Sequence, residues 1–397
     1  MVIKKWMYMA VLGIVTLVFF IFGYYYLEQT FIAREELLKK KVKYRGLFHG
    51  LFSVTMPDSL ITADELQRKV FYAVGEKGTF LKTENAGDTW NVSTILPDEN
   101  LIAVRFKTEN EGSIIGTNGT LLNTTDGGKT WKKYDLKTDR TLCKMIFINN
   151  DKGFVIGEES LLFCTEDGGK TWKKGLEGIT EETYGDPWML EIFNDIMFAN
   201  ESVGWIVGEG GIIIKTEDGG KTWNEQKLGS TAGLNTIAVL DQDRALVAGE
   251  QGELYRTFDG GKTWERKEIK VFELGDEPVK KAIYKVALLP FGEGGPPLSD
   301  VRAWHVYILG DNVGFNSYDF GDSWRTISKD SVLANYWLYD VLHAGGSLAY
   351  LIPKDKYSGT IEELRGRCPL AFMVGIEGKV FRTKDKGLLW ESMSRFL

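Results

Sequence analysis

Two kinds of apolar pattern divide this chain. The first is a single uninterrupted stretch: from Trp6 to Leu27, WMYMAVLGIVTLVFFIFGYYYL, 22 residues carry no charge. At 1.5 Å per residue a helix of that length crosses the ~30 Å hydrocarbon core of a bilayer, and Trp6 and the cluster Tyr24, Tyr25, Tyr26 fall where interfacial aromatic belts form. Lys4 and Lys5 imitate the basic start of a cleaved signal peptide. The run is longer than a usual signal core, however, and no small-x-small cleavage site follows it, so the pattern predicts an uncleaved transmembrane signal anchor.

The second kind is a series of short apolar runs punctuated by glycine. Strands ending in glycine lead through a turn into a second strand, as in GEKGTFLKT, GTNGTLLNT, GEESLLFCT, GEGGIIIKT, GEQGELYRT, GDNVGFNS and GIEGKVFRT. A further apolar strand lies upstream, as in LIAVRFK, LCKMIFI, NDIMFA and NTIAVL. Each second strand then runs into a recurring box: TENAGDTW (83 to 90), TTDGGKTW (124 to 131), TEDGGKTW (165 to 172), TEDGGKTW (216 to 223), TFDGGKTW (257 to 264), SYDFGDSW (317 to 324) and TKDKGLLW (383 to 390). The box tryptophans Trp90, Trp131, Trp172, Trp223, Trp264, Trp324 and Trp390 are spaced by 41, 41, 51, 41, 60 and 66 residues. A unit of strand A, strand B, strand C, box and strand D, repeated seven times, predicts an all-β seven-bladed β-propeller. The chain therefore reads as a short tail (1–5), a transmembrane anchor (6–27), a helical stalk (28–49) and a propeller (50–397). Consecutive sequence builds every blade, so closure is expected by packing of blade 7 on blade 1 rather than by an exchanged strand.

The box has a local task. Asp126, Asp167, Asp218, Asp259, Asp319 and Asp385, with Asn85 in their place in the first blade, are placed to accept backbone N–H bonds inside the turn, while the glycines supply positive φ. Tryptophan then opens strand D with its ring free to pack between strands or blades. Identical carboxylates on every blade cannot converge on one centre, so they read as turn locks.

Insertions locate the irregular surface. The A-to-B connections are enlarged in blade 1 (MPDSLITADELQRK), blade 6 (FGEGGPPLSD) and blade 7 (PKDKYSGTIEELRGRCP), which become neighbours once the ring closes. The connection into blade 4, ITEETYGDPWMLE, offers Tyr184, Trp188 and Met189 beside Pro187, a composition more typical of a binding loop than of a solvated one.

Charge narrows the partners. The first 49 residues carry a formal +5 and the remainder −12, and an acidic body repels phosphate backbones, which argues against nucleic acid. Cys143, Cys164 and Cys368 cannot all pair and match no zinc or redox spacing, and His49, His305 and His343 are dispersed. No metal or cofactor is expected.

The stretch NDIMFANESVGWIVGEGGIIIKTEDGGKTW (194 to 223) resembles the repeat of the photosystem II stability and assembly factor family of seven-bladed Asp-box propellers, and the likeness runs over about 50 to 397. The resemblance implies a non-enzymatic protein that binds protein partners and assists assembly of a membrane complex. It also implies an extracytoplasmic propeller, whereas two Lys/Arg before the apolar span and six after it would keep the body cytoplasmic on the positive-inside rule. The extracytoplasmic orientation is the expectation adopted, the cytoplasmic one its alternative.

The alternative function is an Asp-box glycoside hydrolase or carbohydrate-binding protein. Sialidases need an arginine triad, but the inner strands here supply Arg105, Lys144 and Lys285, and no Arg-Ile-Pro motif precedes the first box. For partner binding, the expected residues are an axial rim of Lys144, Asn194, Asp195, Asn235, Lys285 and Asp340, together with the Trp188 loop.

Overall fold

Runs such as FYAVG, GFVIG and ALVAG contain almost no alternation, which is the signature of a strand covered on both faces. In the computed structural model they are buried along their whole length, as the second strand of their sheets. The structure describes residues 51–60, 69–175, 192–271, 277–290, 300, 304–310, 313–326, 338–343, 371–375, 380–383 and 391–392. The expected anchor and stalk, and the Tyr184, Trp188 and Met189 loop, lie outside the described residues. Among the described residues no helix is long and apolar enough to cross a membrane.

Seven four-stranded antiparallel sheets are present, each made of strands consecutive in sequence. Blade 1 holds β1 (Leu51–Thr55), β2 (Phe71–Gly75), β3 (Thr79–Thr83) and β4 (Asn91–Thr94), and blade 2 holds β5 (Leu101–Phe106), β6 (Gly112–Gly116), β7 (Thr120–Thr124) and β8 (Lys132–Asp135). Blade 3 comprises β9 (Leu142–Phe147), β10 (Gly153–Gly157), β11 (Leu162–Thr165) and β12 (Lys173–Lys174); blade 4 comprises β13 (Phe193–Phe198), β14 (Gly204–Gly208), β15 (Ile213–Thr216) and β16 (Asn224–Glu225). Blade 5 follows with β17 (Leu234–Val239), β18 (Ala245–Gly249), β19 (Leu254–Thr257) and β20 (Glu265–Arg266). Blade 6 has β21 (Ile283–Pro290), β22 (Trp304–Gly310), β23 (Val313–Ser317) and β24 (Arg325–Thr326), and blade 7 has β25 (Leu338–His343), β26 (Ala371–Gly375), β27 (Val380–Thr383) and β28 (Glu391–Ser392).

The first strand of each blade packs on the first strand of the next, and β25 returns to β1, which closes the ring. Closure is by packing, because blades 1 and 7 each keep their own four strands. The fold is therefore a seven-bladed propeller, as the repeat predicts.

The cores lie between blades. Tyr72, Val74 and Phe80 of blade 1 join Leu101, Val104, Phe106, Ile114 and Leu122 of blade 2 in one cluster, and equivalent clusters fill the next interfaces through blade 6. Each fully buried large apolar side chain contributes about 1.5–3 kcal/mol, so one blade cannot be stable without its neighbours. The outermost strands lack this cover: every residue of β4 and β12 is exposed.

Candidate functional site

The boxes resolve into one repeated hydrogen-bond circuit. In blade 2 the Thr124 hydroxyl donates to Asp126 Oδ1 at 2.8 Å and accepts the Gly128 N–H at 3.0 Å. Asp126 in turn accepts the Thr130 N–H at 2.9 Å and the Thr130 hydroxyl at 2.6 Å. The same circuit surrounds Asp167, Asp218, Asp259 and Asp319. In blade 1 the Asn85 Oδ1 accepts from Thr83 and from the Thr89 N–H, and its amide donates to the Thr89 hydroxyl at 2.8 Å.

Bonds from the Thr130, Thr171 and Thr263 hydroxyls hold the carboxyls of Asp126, Asp167 and Asp259 down at about 2. Burial pushes Asp218 upward, but the bonds from Thr222 outweigh it and leave the group at about 2 as well. A carboxylate ionised this firmly and engaged by its own turn is a poor proton donor, so these four circuits lack the raised acid that glycoside hydrolysis requires. Burial pushes Asp319 upward too, but the bonds from Ser323 outweigh it and hold the carboxyl below its usual value as well. Asp385 lies outside the described residues.

The box tryptophans pack between blades. Trp131 meets Phe80 of blade 1 and Phe106 of blade 2 edge-on, with ring centroids 5.4 and 6.1 Å away. Gly128 sits at positive φ under the same ring, where a Cβ would come within 2.7 Å of Phe80. A side chain there would separate the two blades.

At the inner end of each blade the first strand carries a β-bulge at its second residue, giving Phe52, Ile102, Cys143, Asn194, Asn235, Tyr284 and Tyr339 equivalent positions. Bulges re-aim side chains, and two of these reach the adjacent blade. The Asn194 amide donates to the Leu234 carbonyl at 3.0 Å, and the Asn235 amide donates to the Ile283 carbonyl at 3.0 Å, so each ties its blade to the first residue of the next inner strand.

Beside them Asp195 is buried, and its Oδ2 accepts the Thr236 hydroxyl and the Ile237 N–H, both at 3.1 Å. Thr236 accepts the Val286 N–H at 3.3 Å, and Lys144 Nζ stands 3.7 Å from Asp195 Oδ1. The structure thus joins Lys144, Asp195 and blade 6 through Thr236 in a bridge over four consecutive blades, with Asn194 and Asn235 running parallel to it. Lys285 lies on β21 and Asp340 on β25, at the position next to the bulge in each.

Two arrangements escaped the sequence reading. The residue before the box threonine reaches into the next blade's box: the Asn123 amide donates to the Gly169 carbonyl at 3.4 Å, and the Arg256 guanidinium donates to the Phe320 carbonyl at 3.2 Å while pairing with Asp322 at 2.9 Å and Glu265 at 2.7 Å. The second is the start of the blade 1 insertion, which crosses onto blade 2. The Ser59 N–H donates to the Lys107 carbonyl, Asp58 pairs with Arg105 at 2.6 Å, and the Arg105 guanidinium lies 3.8 Å from the Phe147 ring centroid in blade 3. Burial raises the Asp58 carboxyl against the pull of Arg105. Arg105 is therefore tied down rather than free to grip a carboxylate substrate.

Among the described residues no group of three His, Cys, Asp or Glu could hold a metal. Cys143 and Cys164 are free thiols on β9 and β11, separated by β10, and burial pushes Cys143 up to about 12. Such thiols are inert at neutral pH.

Three overlapping matches to the family model described as "Photosynthesis system II assembly factor YCF48" cover residues 53–138, 90–191 and 186–282, more than half of the chain. The chain belongs to that family. No curated protein matches the sequence. Among solved structures, the YCF48-family chain is similar to one described as "YCF48 bound to D1 peptide", with 17% identity, a TM-score of 0.56, and 85% of this chain and 92% of that one covered. YCF48 from Cyanidioschyzon merolae is similar at 16% identity and a TM-score of 0.60, over 85% and 96% of the two chains. The GH74 xyloglucanase from Xanthomonas campestris shares the fold at 12% identity and a TM-score of 0.60; the match covers 89% of this chain and 55% of the enzyme. At these identities the likeness is one of fold.

Proposed function

We propose that this YCF48-family protein is a membrane-tethered, non-catalytic propeller that binds protein partners and serves the assembly or stability of a membrane protein complex. Family membership carries the reading, since a YCF48 structure is described with a bound D1 peptide. The box circuits are consistent with it: every described box side chain from Asn85 to Asp319 is engaged by its own turn. The apolar span from Trp6 to Leu27 provides the tether, with the propeller on the extracytoplasmic side.

The likeness to a xyloglucanase is the specific observation behind the rival reading of a glycoside hydrolase. Purifying the protein with its membrane in mild detergent, identifying what accompanies it and assaying the same preparation on xyloglucan separates the two. Reproducible recovery of subunits of one membrane complex, with no turnover, is expected. A protein that purifies alone and hydrolyses the polysaccharide overturns the proposal. Protease added to cells stripped of any outer envelope but with the cytoplasmic membrane intact should digest the propeller; protection until that membrane is broken would reverse the orientation.

A further inference from the structure

In four blades the turn between the second and third strands places two consecutive residues at positive φ, the second of them glycine: Lys77–Gly78, Asn118–Gly119, Gly210–Gly211 and Gln251–Gly252. This is the two-residue hairpin turn in which φ is positive at both central positions. The glycine lets the connector to the next blade press against the turn. A Cβ there would lie 2.2 Å from the Leu96 carbonyl oxygen at Gly78, 2.0 Å from that of Thr138 at Gly119, 2.2 Å from that of Ser230 at Gly211 and 1.9 Å from that of Val279 at Gly252.

Blade 3 departs from this rule. Its turn residues are Glu159 and Ser160, both at φ 54. The Cβ of Ser160 occupies the space that a connector carbonyl fills in those four turns.

Beside the turn lies a cleft of about 710 Å³ between blades 2 and 3, a volume that suits a short stretch of peptide. Its floor is apolar, made by Leu136 of blade 2 and Leu161, Phe163 and Trp172 of blade 3. Its rim is polar and carries both signs, with Lys137, Asp139 and Arg140, the last paired to Glu159 at 2.7 Å, on one side and Lys173 and Lys174 of β12 on the other, so that lysine and arginine outnumber acids four to two. Neither Lys173 nor Lys174 forms a salt bridge among the described residues, and both are exposed. Lys132 and Lys133 extend the positive charge along β8 of the neighbouring blade, likewise exposed. The equivalent outer positions are Asn224 and Glu225 in blade 4 and Glu265 and Arg266 in blade 5. Among the described outer strands, a lysine pair occurs on these two adjacent blades alone, in a chain of net charge −7.

We propose that the cleft between blades 2 and 3 is a docking groove for an extended acidic peptide segment of a protein partner, whose aromatic or branched aliphatic side chain rests on the Phe163 and Trp172 floor while its carboxylates meet Lys173 and Lys174. This rests on the partner-binding reading above and assigns it a surface. Charge complementarity selects the sign of the segment. The concave apolar floor selects a peptide over a flat lipid surface, which offers headgroups and no anchor side chain.

The test uses the full chain in detergent micelles and a fluorescein-labelled dodecapeptide of glutamate and serine around a central Phe-Leu pair, read by anisotropy. Binding is expected, with a loss of about tenfold or more in K173E/K174E and no change in K221E/K262E, which reverses two exposed box lysines on blades 4 and 5. Replacing the peptide's glutamates by glutamine, or its Phe-Leu pair by serines, should each weaken binding. Equal weakening by both charge-reversal variants, full affinity of the glutamine peptide, or binding to phosphatidylserine vesicles in place of the peptide overturns the groove. Capture from detergent-solubilised membranes keeps the two readings apart. A complex recovered equally by wild type and K173E/K174E refutes the groove alone, whereas no complex recovered by wild type refutes the partner-binding reading.

Discussion

Blades 3 and 5 share four strands, one box circuit and an interblade core, yet they are finished differently. Blade 5 is locked at both margins: Arg256 reaches Phe320 and Asp322 in blade 6, and the connector carbonyl of Val279 closes over Gly252. Blade 3 has Cys164 where blade 5 has Arg256, Ser160 where blade 5 has Gly252, and a lysine pair on its outer strand. Repetition marks what every blade needs to hold its shape, and the lapses in blade 3 border the groove proposed for a partner.

That contrast breaks most severely at the residue both blades depend on. Asp195→Ala removes the acceptor for Thr236 and Ile237 and should cost about 2–4 kcal/mol, because it strands a buried N–H and hydroxyl; urea denaturation monitored by tryptophan fluorescence measures it. Arg256→Ala comes next, at about 1–2 kcal/mol, since its acids are half exposed while the Phe320 carbonyl loses a donor. The same melt on Cys164→Ala should show a smaller loss, because that thiol bridges to no neighbouring box. Ser160→Gly should stabilise by about 0.5–1 kcal/mol by relieving a non-glycine residue at positive φ.

The smallest effect is conditional on pH. The box carboxyls fall from 3.8 to about 2 on folding, so the unfolded chain takes up protons first. Their contribution is complete above about pH 5 and is lost as pH drops through about 4 to 2. Asp126→Asn should leave the melting temperature at pH 7 nearly unchanged, since Asn85 performs the same turn, and should flatten its decline in acid.

The propeller was legible because its signal is redundant: seven boxes each carry the threonine or serine, the acceptor and the tryptophan that one turn requires. Even the Asn85 substitution was readable, as an acceptor retained. What joins the blades was not. Asp195 meets Thr236 across 41 positions and Arg256 meets Phe320 across 64, and no local pattern announces a partner at such separations. Arg256 lies on the third strand of its blade, but its place in the neighbouring box depends on the blade-to-blade register. GEESLLFCT carries serine at 160 where four other turns carry glycine, and the consequence emerges only when those turns show a carbonyl in that space. For the expected rim residues, sequence placed Lys144, Asn194, Asp195 and Asn235 at the inner strands, and the structure adds that they bind neighbouring blades.

The central claim is that the repeated boxes hold the ring while partner recognition lies elsewhere. Its most direct test is capture of membrane proteins by a triple variant, Asp126→Asn, Asp167→Asn and Asp218→Asn, against wild type in mild detergent at neutral pH. The account predicts the same captured subunits in the same yield from a variant that melts as wild type does. Lost capture from a fully folded variant would contradict it, because the boxes themselves would then be the binding surface.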